Sequence, residues 1–494
     1  MSISLHRITG QHAREHGSKR AVSFEQSTYT YQQWHELVEQ MAQVLWQAKV
    51  RPASKVALLL ENCIELLGLY WAVTRIGAAV VPLSPLLRDQ GVLGLAKDAQ
   101  CALLICADDR ANDLTVLASE QLQIMDLQAL RQRMQKALLE PVPEQQVLPS
   151  DLFNIVYSSG TTGLPKGIMH SHHVRAMYGY CFSLAFGIGP ESVILHAGSL
   201  VFNGAFVTMM PCFLNGGHFV FTPAFEPNNV LMTMAKHAVT HTMMVPSQII
   251  CLLENPNFSL EHLPSVQMIL VLGAPLQQHF KAQLQMRFPN RFFELYGLTE
   301  GFITVLHGND AKQNPRSVGC PLPGSRMRIV GEYGEDLPAG EIGEIVGDGP
   351  LMSSGYFGRE DLTQATFRDG WIFTGDLGYQ DEQGFLYLVD RQKDLIISGG
   401  VNVYPSDIEE IMVQHPLIQE AAVVGVAHKK WGETPVAAVV VRAVCDATEL
   451  CEWVNQRVVA RYQKLSQVYI IEAMPRNVAG KTLKQELRVR FATS

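Results

Sequence analysis

The chain has 494 residues, of which 47% are hydrophobic and 17% are charged, and its net charge is −8. This length and composition allow a large buried interior over two or more domains, which excludes extended disorder. The acidic balance disfavours nucleic-acid binding.

The nine cysteines include no CxxC pair and no zinc-site spacing. The stretch at 1–10 has no apolar core, so no signal peptide is predicted there. The most apolar stretch, 63–87, is interrupted by Glu65, Arg75 and two prolines, and no membrane span is predicted. We therefore expect a cytoplasmic protein with reduced cysteines.

Short apolar runs alternate with amphipathic segments as far as Gly297. The runs that have the length and residue types of buried strands lie at 56–61, 77–83, 153–159, 217–221, 268–273 and 292–297. Helical patterns between them include 31–46 and 63–76. This alternation is typical of an α/β fold.

The pattern changes after about residue 315, where turn signals separate short strands. Examples are PLPG at 321–324 and SSGYFGRE at 353–360. We predict a large N-terminal domain over 1–390, with two α/β sheet subdomains and a small β-rich subdomain. A small α+β domain over 391–494 follows it.

The most specific local feature is YSSGTTGLPKG, at 157–167, directly after a predicted strand. Its hydroxyls and glycines can cradle an anion, and Lys166 adds a mobile positive charge. The residues that supply these hydroxyls and close backbone approaches are Ser158, Ser159, Gly160, Thr161, Thr162 and Gly163. Because Gly167 and Ile168 follow the lysine, the spacing differs from that of a P-loop. The segment predicts a triphosphate-binding loop.

Four later segments extend this pattern: YGLTE at 296–300, TGD at 374–376, DRQKDLIISGGVNVYPSDIE at 390–409 and PRNVAGKTLK at 475–484. With the loop, they resemble in order and spacing the motifs of the adenylate-forming superfamily. This superfamily includes acyl- and aryl-CoA synthetases, peptide-synthetase adenylation domains and beetle luciferases. The resemblance covers essentially the whole chain and is greatest to bacterial acyl- or aryl-CoA ligases.

The resemblance implies an ATP and Mg²⁺ site. In this interpretation Tyr296 stacks on adenine beside Gly297, Thr299 donates to the α-phosphate, and Glu300 is the Mg²⁺ ligand. The residues expected to line the adenine site are Gly273, Ala274 and Pro275. Asp376 and Arg391 are expected to hold the ribose, a role compatible with a salt bridge between them.

The resemblance also implies that 391–494 is a mobile lid, with a hinge at 391–394 that contains Lys393. Lys481 is expected to stabilise charge as the carboxylate attacks the α-phosphate, so the predicted catalytic residues are Lys481, Thr299, Glu300 and Lys166. The neighbouring cations Lys484, Arg488 and Arg490 are interpreted as a solvated helix face.

After pyrophosphate leaves, the thiol of coenzyme A is expected to attack the acyl-AMP. Gly399 and Gly400 leave room for a narrow thiol arm, and Lys429 and Trp431 are candidate contacts for its nucleotide end. A stand-alone adenylation enzyme that loads a carrier protein is the alternative. A catalytically inactive binding relative is disfavoured because the charged motif residues are all present.

The acid pocket is expected to contain Phe202, Asn203, Phe206 and Phe302. Many acyl- and aryl-CoA synthetases have a histidine at the position of Asn203, whereas peptide-synthetase domains for α-amino acids usually have aspartate. Because asparagine is neutral and cannot pair with an ammonium group, a free amino acid is disfavoured. We predict a small-molecule substrate that is an aryl or medium-chain aliphatic acid, and a monomeric or homodimeric enzyme.

Overall fold

The structure is a computed structural model, and it describes residues 5–117, 121–135, 141–158, 165–476 and 482–492. The chain divides into two compact units. The first unit contains Met1–Arg326 and Asp348–Ile372, and the second contains Met327–Gly347 and Phe373–Ser494. This division assigns much of the β-rich region to the second unit, whereas the predicted domain boundary lies at residue 390. That boundary stays a prediction.

The first unit contains two sheets covered by helices. Their strands are β1 Arg20–Phe24, β2 Ser27–Thr30, β3 Lys55–Leu59, β4 Ala79–Pro82, β5 Leu103–Cys106, β6 Gln123–Asp126, β7 Leu152–Ser158, β8 Lys166–Ser171, β9 Val193–His196, β10 His218–Phe221, β11 His241–Met244, β12 Met268–Leu272, β13 Phe292–Gly297, β14 Ile303–Leu306 and β15 Cys320–Pro321. The six predicted strands are found, with ends within two residues of those expected.

One sheet has nine strands in the order β15-β14-β13-β12-β11-β9-β10-β1-β2. The other has six in the order β6-β5-β3-β4-β7-β8. Both are mainly parallel, and β8 pairs antiparallel with β7 as β14 does with β13. Parallel strands need helical connections, which is why apolar runs alternate with amphipathic segments in the sequence.

The helices of the first unit are α1 Ile8–His16, α2 Tyr31–Gln47, α3 Ile64–Arg75, α4 Asp89–Asp98, α5 Ala111–Leu117, α6 Leu127–Met134, α7 His172–Phe186, α8 Gly204–Asn215, α9 Pro227–Lys236, α10 Pro246–Leu253, α11 Gln278–Arg287 and α12 Glu360–Thr366. Helix α2 starts at a capping box formed by Thr30 and Gln33. Helix α3 is buried over most of its circumference, which fits its nearly continuous apolar sequence.

The remaining strands are β16 Arg326–Val330, β17 Gly343–Asp348, β18 Phe367–Arg368, β19 Trp371–Gln380, β20 Leu386–Arg391, β21 Ile396–Ser398, β22 Val401–Val403, β23 Ile418–His428, β24 Gly432–Val441 and β25 Gln467–Ile470. The last helices are α13 Pro405–Met412, α14 Ala447–Asn455 and α15 Lys484–Ala492. In the second unit β21–β25 form one sheet, in the order β22-β21-β24-β23 with β25 beside β24. All nine cysteines are free thiols. No helix in the described part of the chain combines the length and apolarity needed to cross a membrane.

Buried histidines are common in the first unit, and His172 is an example. It is 1% exposed, packs near His6 and Phe153, and neither ring nitrogen has a hydrogen-bond partner among the described residues. Burial, with a smaller effect of His6, lowers the pKa of His172 to about 3. Burial likewise lowers the pKa of His196 and His241 to about 4. These histidines therefore bind a proton less readily in the folded protein than in the unfolded chain.

These shifts predict a loss of stability in acid. Folded pKa values below 6.5 give stability that is complete above pH 6.5 and declines as the pH falls toward 4. One such histidine contributes about 1.4 kcal/mol per pH unit in that window. Urea titrations at pH 7.5 and pH 5.0 measure the free energy of unfolding. Between these two pH values, this free energy should fall by about 2 kcal/mol less in His172→Phe than in the parent. The control is His262→Phe, the same substitution at an exposed histidine, measured in the same way.

Candidate active site

The predicted phosphate loop joins β7 to β8. Ser158 ends β7 and stands opposite Lys166, the first residue of β8. Five predicted loop residues, Ser159, Gly160, Thr161, Thr162 and Gly163, lie outside the described residues. Gly167 follows at a crowded point, since a Cβ atom there would lie 2.9 Å from Ile155 and 3.2 Å from the ring of Tyr157. The hairpin thus holds the partly exposed Lys166 at the base of the loop.

A segment far along the chain, which we call the bridging segment and define as residues 351–357, runs beside β8. Tyr356 forms an antiparallel bridge with Ile168. The flanking hydrogen bonds run from Met169 N to Gly355 O at 3.0 Å and from Phe357 N to Gly167 O at 2.8 Å. The bridging segment is therefore fixed to the strand that begins with Lys166.

The same segment also holds the loop that contains Glu300. Ser353 N donates to Glu300 O at 2.8 Å. Gly301 has φ +123°, and a Cβ atom there would lie 2.2 Å from the carbonyl oxygen of Leu351. Any side chain at residue 301 would collide with the bridging segment, so this contact requires glycine.

Tyr356 connects two of the predicted catalytic residues. Its hydroxyl donates to Oε1 of Glu300 at 2.8 Å, and the Nζ atom of Lys166 lies 5.0 Å from its ring centroid. Burial and the charge of Glu300 raise the pKa of Tyr356, so its hydroxyl remains a donor at neutral pH. Tyr356 was not among the predicted site residues, because it lies in a segment interpreted only as turns. An aromatic residue between Gly355 and Gly358 was the available signal.

We expect Tyr356→Phe to lower kcat/KM for ATP about tenfold, because Glu300 loses a donor that holds its carboxylate. Steady-state pyrophosphate release at varied ATP measures this effect. Tyr387→Phe is the matched control, since the hydroxyl of Tyr387 also donates to a carboxylate, that of Asp381, at 3.1 Å and outside the predicted site residues. Equal losses in the two variants would contradict a specific role for Tyr356.

The other predicted ATP residues follow the ends of neighbouring parallel strands. Residues 273–275 follow β12 and residues 298–300 follow β13, which pairs with β12 in parallel. Gly273 has φ +96°, and the turn after Tyr296 and Gly297 is tight, with Leu298 N donating to Phe302 O at 3.2 Å. The carboxyl ends of adjacent parallel strands thus bring together the predicted adenine residues, including Ala274 and Pro275, and the start of YGLTE.

The predicted acid-pocket residues differ in exposure. Phe202 and Asn203, just before α8, are partly exposed, whereas Phe206 and Phe302 are buried. Asn203 accepts a hydrogen bond at 2.8 Å from Arg175, a buried residue of α7 that was not among the predicted site residues. Phe206 and Phe302 are therefore core residues, whereas Phe202 and Asn203 keep part of their surface exposed. The roles of all four in an acid pocket stay predictions.

In the second unit, Asp376 and Arg391 face each other on β19 and β20. Arg391 Nε lies 3.1 Å from Asp376 Oδ1, so the pair forms a salt bridge. The Asp376 side chain is 9% exposed, and that of Arg391 is 32% exposed. Their roles as ribose ligands stay predictions and are compatible with this pairing.

The predicted hinge residue Lys393 is tied to the last helix. Arg488 of α15 donates to Lys393 O at 2.9 Å and lies 3.3 Å from Asp394 Oδ1. Lys484 lies 2.7 Å from Glu409 Oε1. The interpretation of Lys484 and Arg488 as a solvated face was wrong, because their side chains are 19% and 23% exposed and both are paired. Lys481 itself lies outside the described residues.

The predicted coenzyme A residues form a turn packed on an indole ring. Gly399 and Gly400 connect β21 to β22 with φ +61° and +81°. Gly399 N donates to Trp431 O at 2.7 Å, and a Cβ atom on Gly399 would lie 3.1 Å from the Trp431 ring. Lys429 is exposed just before this ring. Glycine at residue 399 thus permits both the positive φ and the contact with Trp431.

Comparisons with known proteins agree with this arrangement. The chain matches the AMP-binding enzyme family over residues 10–357 and the AMP-binding enzyme C-terminal domain over residues 407–481. It is 31% identical to a 2-succinylbenzoate–CoA ligase of Bacillus cereus over 476 residues, which cover 95% of each protein.

Solved structures with the same fold include o-succinylbenzoate CoA synthetase of Bacillus subtilis in complex with its acyl-adenylate intermediate, OSB-AMP. That structure has a TM-score of 0.90 and 29% identity, and the match covers 98% of each chain. ATP-bound MatB of Rhodopseudomonas palustris has a TM-score of 0.90 and 28% identity, and the match covers 100% of this chain and 99% of MatB. The predicted α/β fold, with a large N-terminal and a small C-terminal part, is confirmed. The chain therefore belongs to the AMP-binding enzyme family, the adenylate-forming superfamily that its motifs resemble.

Proposed function

We propose that this enzyme is an ATP-dependent carboxylic acid–CoA ligase that forms an acyl-AMP and then an acyl-CoA thioester. The observation that carries the proposal is the Lys166–Tyr356–Glu300 arrangement at the base of the predicted phosphate loop. Similar proteins named 2-succinylbenzoate–CoA ligase support it. So does the Bacillus subtilis synthetase, which has been solved with ATP and a magnesium ion.

In the first step the residues position two anions and neutralise their charge. Lys166 and the loop at 158–163 hold the phosphates, Thr299 donates to the α-phosphate, and Lys481 stabilises the charge that develops as the carboxylate attacks. Glu300 has Oε2 free of hydrogen-bond partners among the described residues, which suits a cation that takes its other ligands from phosphate oxygens and water. Magnesium bound there would neutralise phosphate charge.

In the second step the turn at Gly399 and Gly400 admits the thiol arm of coenzyme A, and Trp431 and Lys429 contact its nucleotide end. The lid of residues 391–494 turns about the hinge at 391–394 between the steps. Asp376 and Arg391 are the proposed ribose ligands. We also propose that the enzyme is located in the cytoplasm and is a monomer or a homodimer.

The acid is proposed to be an aryl acid, since several similar ligases of Bacillus species are named for 2-succinylbenzoate. A medium-chain aliphatic acid is the second choice, because Phe202 and Phe206 give the pocket an apolar character. Loading onto an acyl carrier protein is the alternative to coenzyme A for the second step.

The test is a screen of pyrophosphate release with ATP, Mg²⁺ and aromatic, fatty, dicarboxylic and amino acids. We expect release with aromatic acids and, when coenzyme A is added, acyl-CoA and AMP detected by mass spectrometry. A stable acyl-AMP with no thioester would favour a carrier protein as acceptor. Activity restricted to amino acids would overturn the assignment of Asn203.

A further inference from the structure

Arg175 is a buried cation with an incomplete set of partners. It is 0% exposed, and no carboxylate pairs with it among the residues that the structure describes. Its Nε donates to Asn154 at 2.9 Å, and its Nη2 donates to His170 Nδ1 at 3.2 Å and to Asn203 Oδ1 at 2.8 Å. Within the described part of the chain, Nη1 has no hydrogen-bond partner.

The surroundings of this guanidinium are otherwise aromatic. Its central carbon lies 3.9 Å from the ring centroid of Phe206 and 4.7 Å from that of Tyr178. Burial lowers the pKa of Arg175 to about 10, so the group stays charged at neutral pH. A buried charge without a counter-ion is costly, and an anion or a strong acceptor nearby would offset that cost.

Arg175 also fixes the orientation of Asn203. A guanidinium only donates, so Asn203 must direct Oδ1 toward Arg175, and its Nδ2 then donates to Tyr178 Oη at 3.2 Å. The Oδ1 atom of Asn203 is therefore already occupied by the hydrogen bond from Arg175. What Asn203 can still offer a ligand is an N–H group beside a positive charge.

The same guanidinium sets the tautomer of His170. Because His170 Nδ1 accepts from Arg175, its Nε2 carries the proton and donates to Thr299 O at 2.8 Å. Burial, with the Arg175 charge, keeps the pKa of His170 well below its usual value, so the ring is neutral. Arg175 therefore orients two residues. One is Asn203 of the predicted acid pocket, and the other is His170, which contacts Thr299 of the predicted phosphate site.

We infer that Arg175 is a positioning residue that, through Asn203, makes this end of the acid pocket positive and able only to donate hydrogen bonds. Such a pocket selects carboxylic acids that carry a second acceptor, such as a keto oxygen or a second carboxylate, over the same acid without it. It also repels an ammonium group. The inference rests on the proposed function, because it requires an acid to lie against Asn203.

Three acids differ by one group each: 4-phenylbutanoate, 4-oxo-4-phenylbutanoate and 2-succinylbenzoate. The measurement is kcat/KM for pyrophosphate release with each acid on one enzyme preparation, expressed as a ratio to 4-phenylbutanoate. The ratio is independent of the folded fraction, so it separates recognition from stability. We expect ratios above about 10 for the parent enzyme.

Arg175→Met should reduce both ratios at least about tenfold, and Asn203→Asp should do the same because its carboxylate neutralises Arg175. Asn203→Asp should remain folded, since it supplies the missing counter-ion. Asn215→Asp, at the far end of α8, is the matched control and should keep the parent ratios. A ratio that persists in Arg175→Met or Asn203→Asp overturns the inference and leaves the proposed function standing. No pyrophosphate release from any acid overturns the proposed function itself.

Discussion

Replacing Lys481 with alanine is expected to lower carboxylate-dependent pyrophosphate release about 100- to 1,000-fold, the usual effect of removing one donor that stabilises charge in a transition state. The thioester-forming step should be much less affected, since Lys481 is assigned to the first step alone. Pyrophosphate release measures the first step, and conversion of added acyl-AMP to acyl-CoA measures the second.

Lys464 provides the control for this experiment. It is an exposed lysine of the same unit, so Lys464→Ala removes an equal charge without touching the proposed first step. We expect its pyrophosphate release to match that of the parent. Full activity in Lys481→Ala, or equal losses in both half-reactions, would contradict the assignment of Lys481 to adenylation.

The second large effect concerns stability. Lys281 of α11 and Glu294 of β13 form a buried ion pair, with side chains that are 7% and 4% exposed. Removing one partner leaves the other charge buried, so Lys281→Met should destabilise the first unit by about 3–5 kcal/mol. Urea unfolding followed by tryptophan fluorescence is the measurement.

The double variant Lys281→Met, Glu294→Gln separates loss of a charge partner from loss of packing. It removes both charges, so most of the lost stability should return. If the double variant is as unstable as Lys281→Met, the cost comes from packing, and the ion pair is not its cause.

The sheets could be predicted from the sequence because their strands are short apolar runs between amphipathic segments, a local signal. The pairing of Asp376 with Arg391 was accessible through the motifs in which they occur. Tyr356 and Arg175 were not, because each acts on a residue distant in the chain, Glu300 and Asn203 respectively. Neither contact gives rise to a periodic pattern of residue types from which it could be predicted.

Lys484 and Arg488 show a second limit of sequence reasoning. A run of cations on a short terminal helix is typical of a solvated surface, yet here the two side chains meet acidic partners from other segments. Their sequence neighbours hold no information about Glu409 or Asp394, which lie much earlier in the chain. Only the folding of the second unit brings them together.

The contact between Gly301 and Leu351 has a consequence for recombination between relatives. A chimera with a crossover between residues 302 and 350 takes the glycine from one parent and the facing backbone from the other. Even a small difference in the path of the bridging segment would then bring atoms at residue 301 into collision, since the fit is already tight. Crossovers placed before residue 296 or after residue 357 keep both sides of this contact from one parent, and we expect such chimeras to retain it.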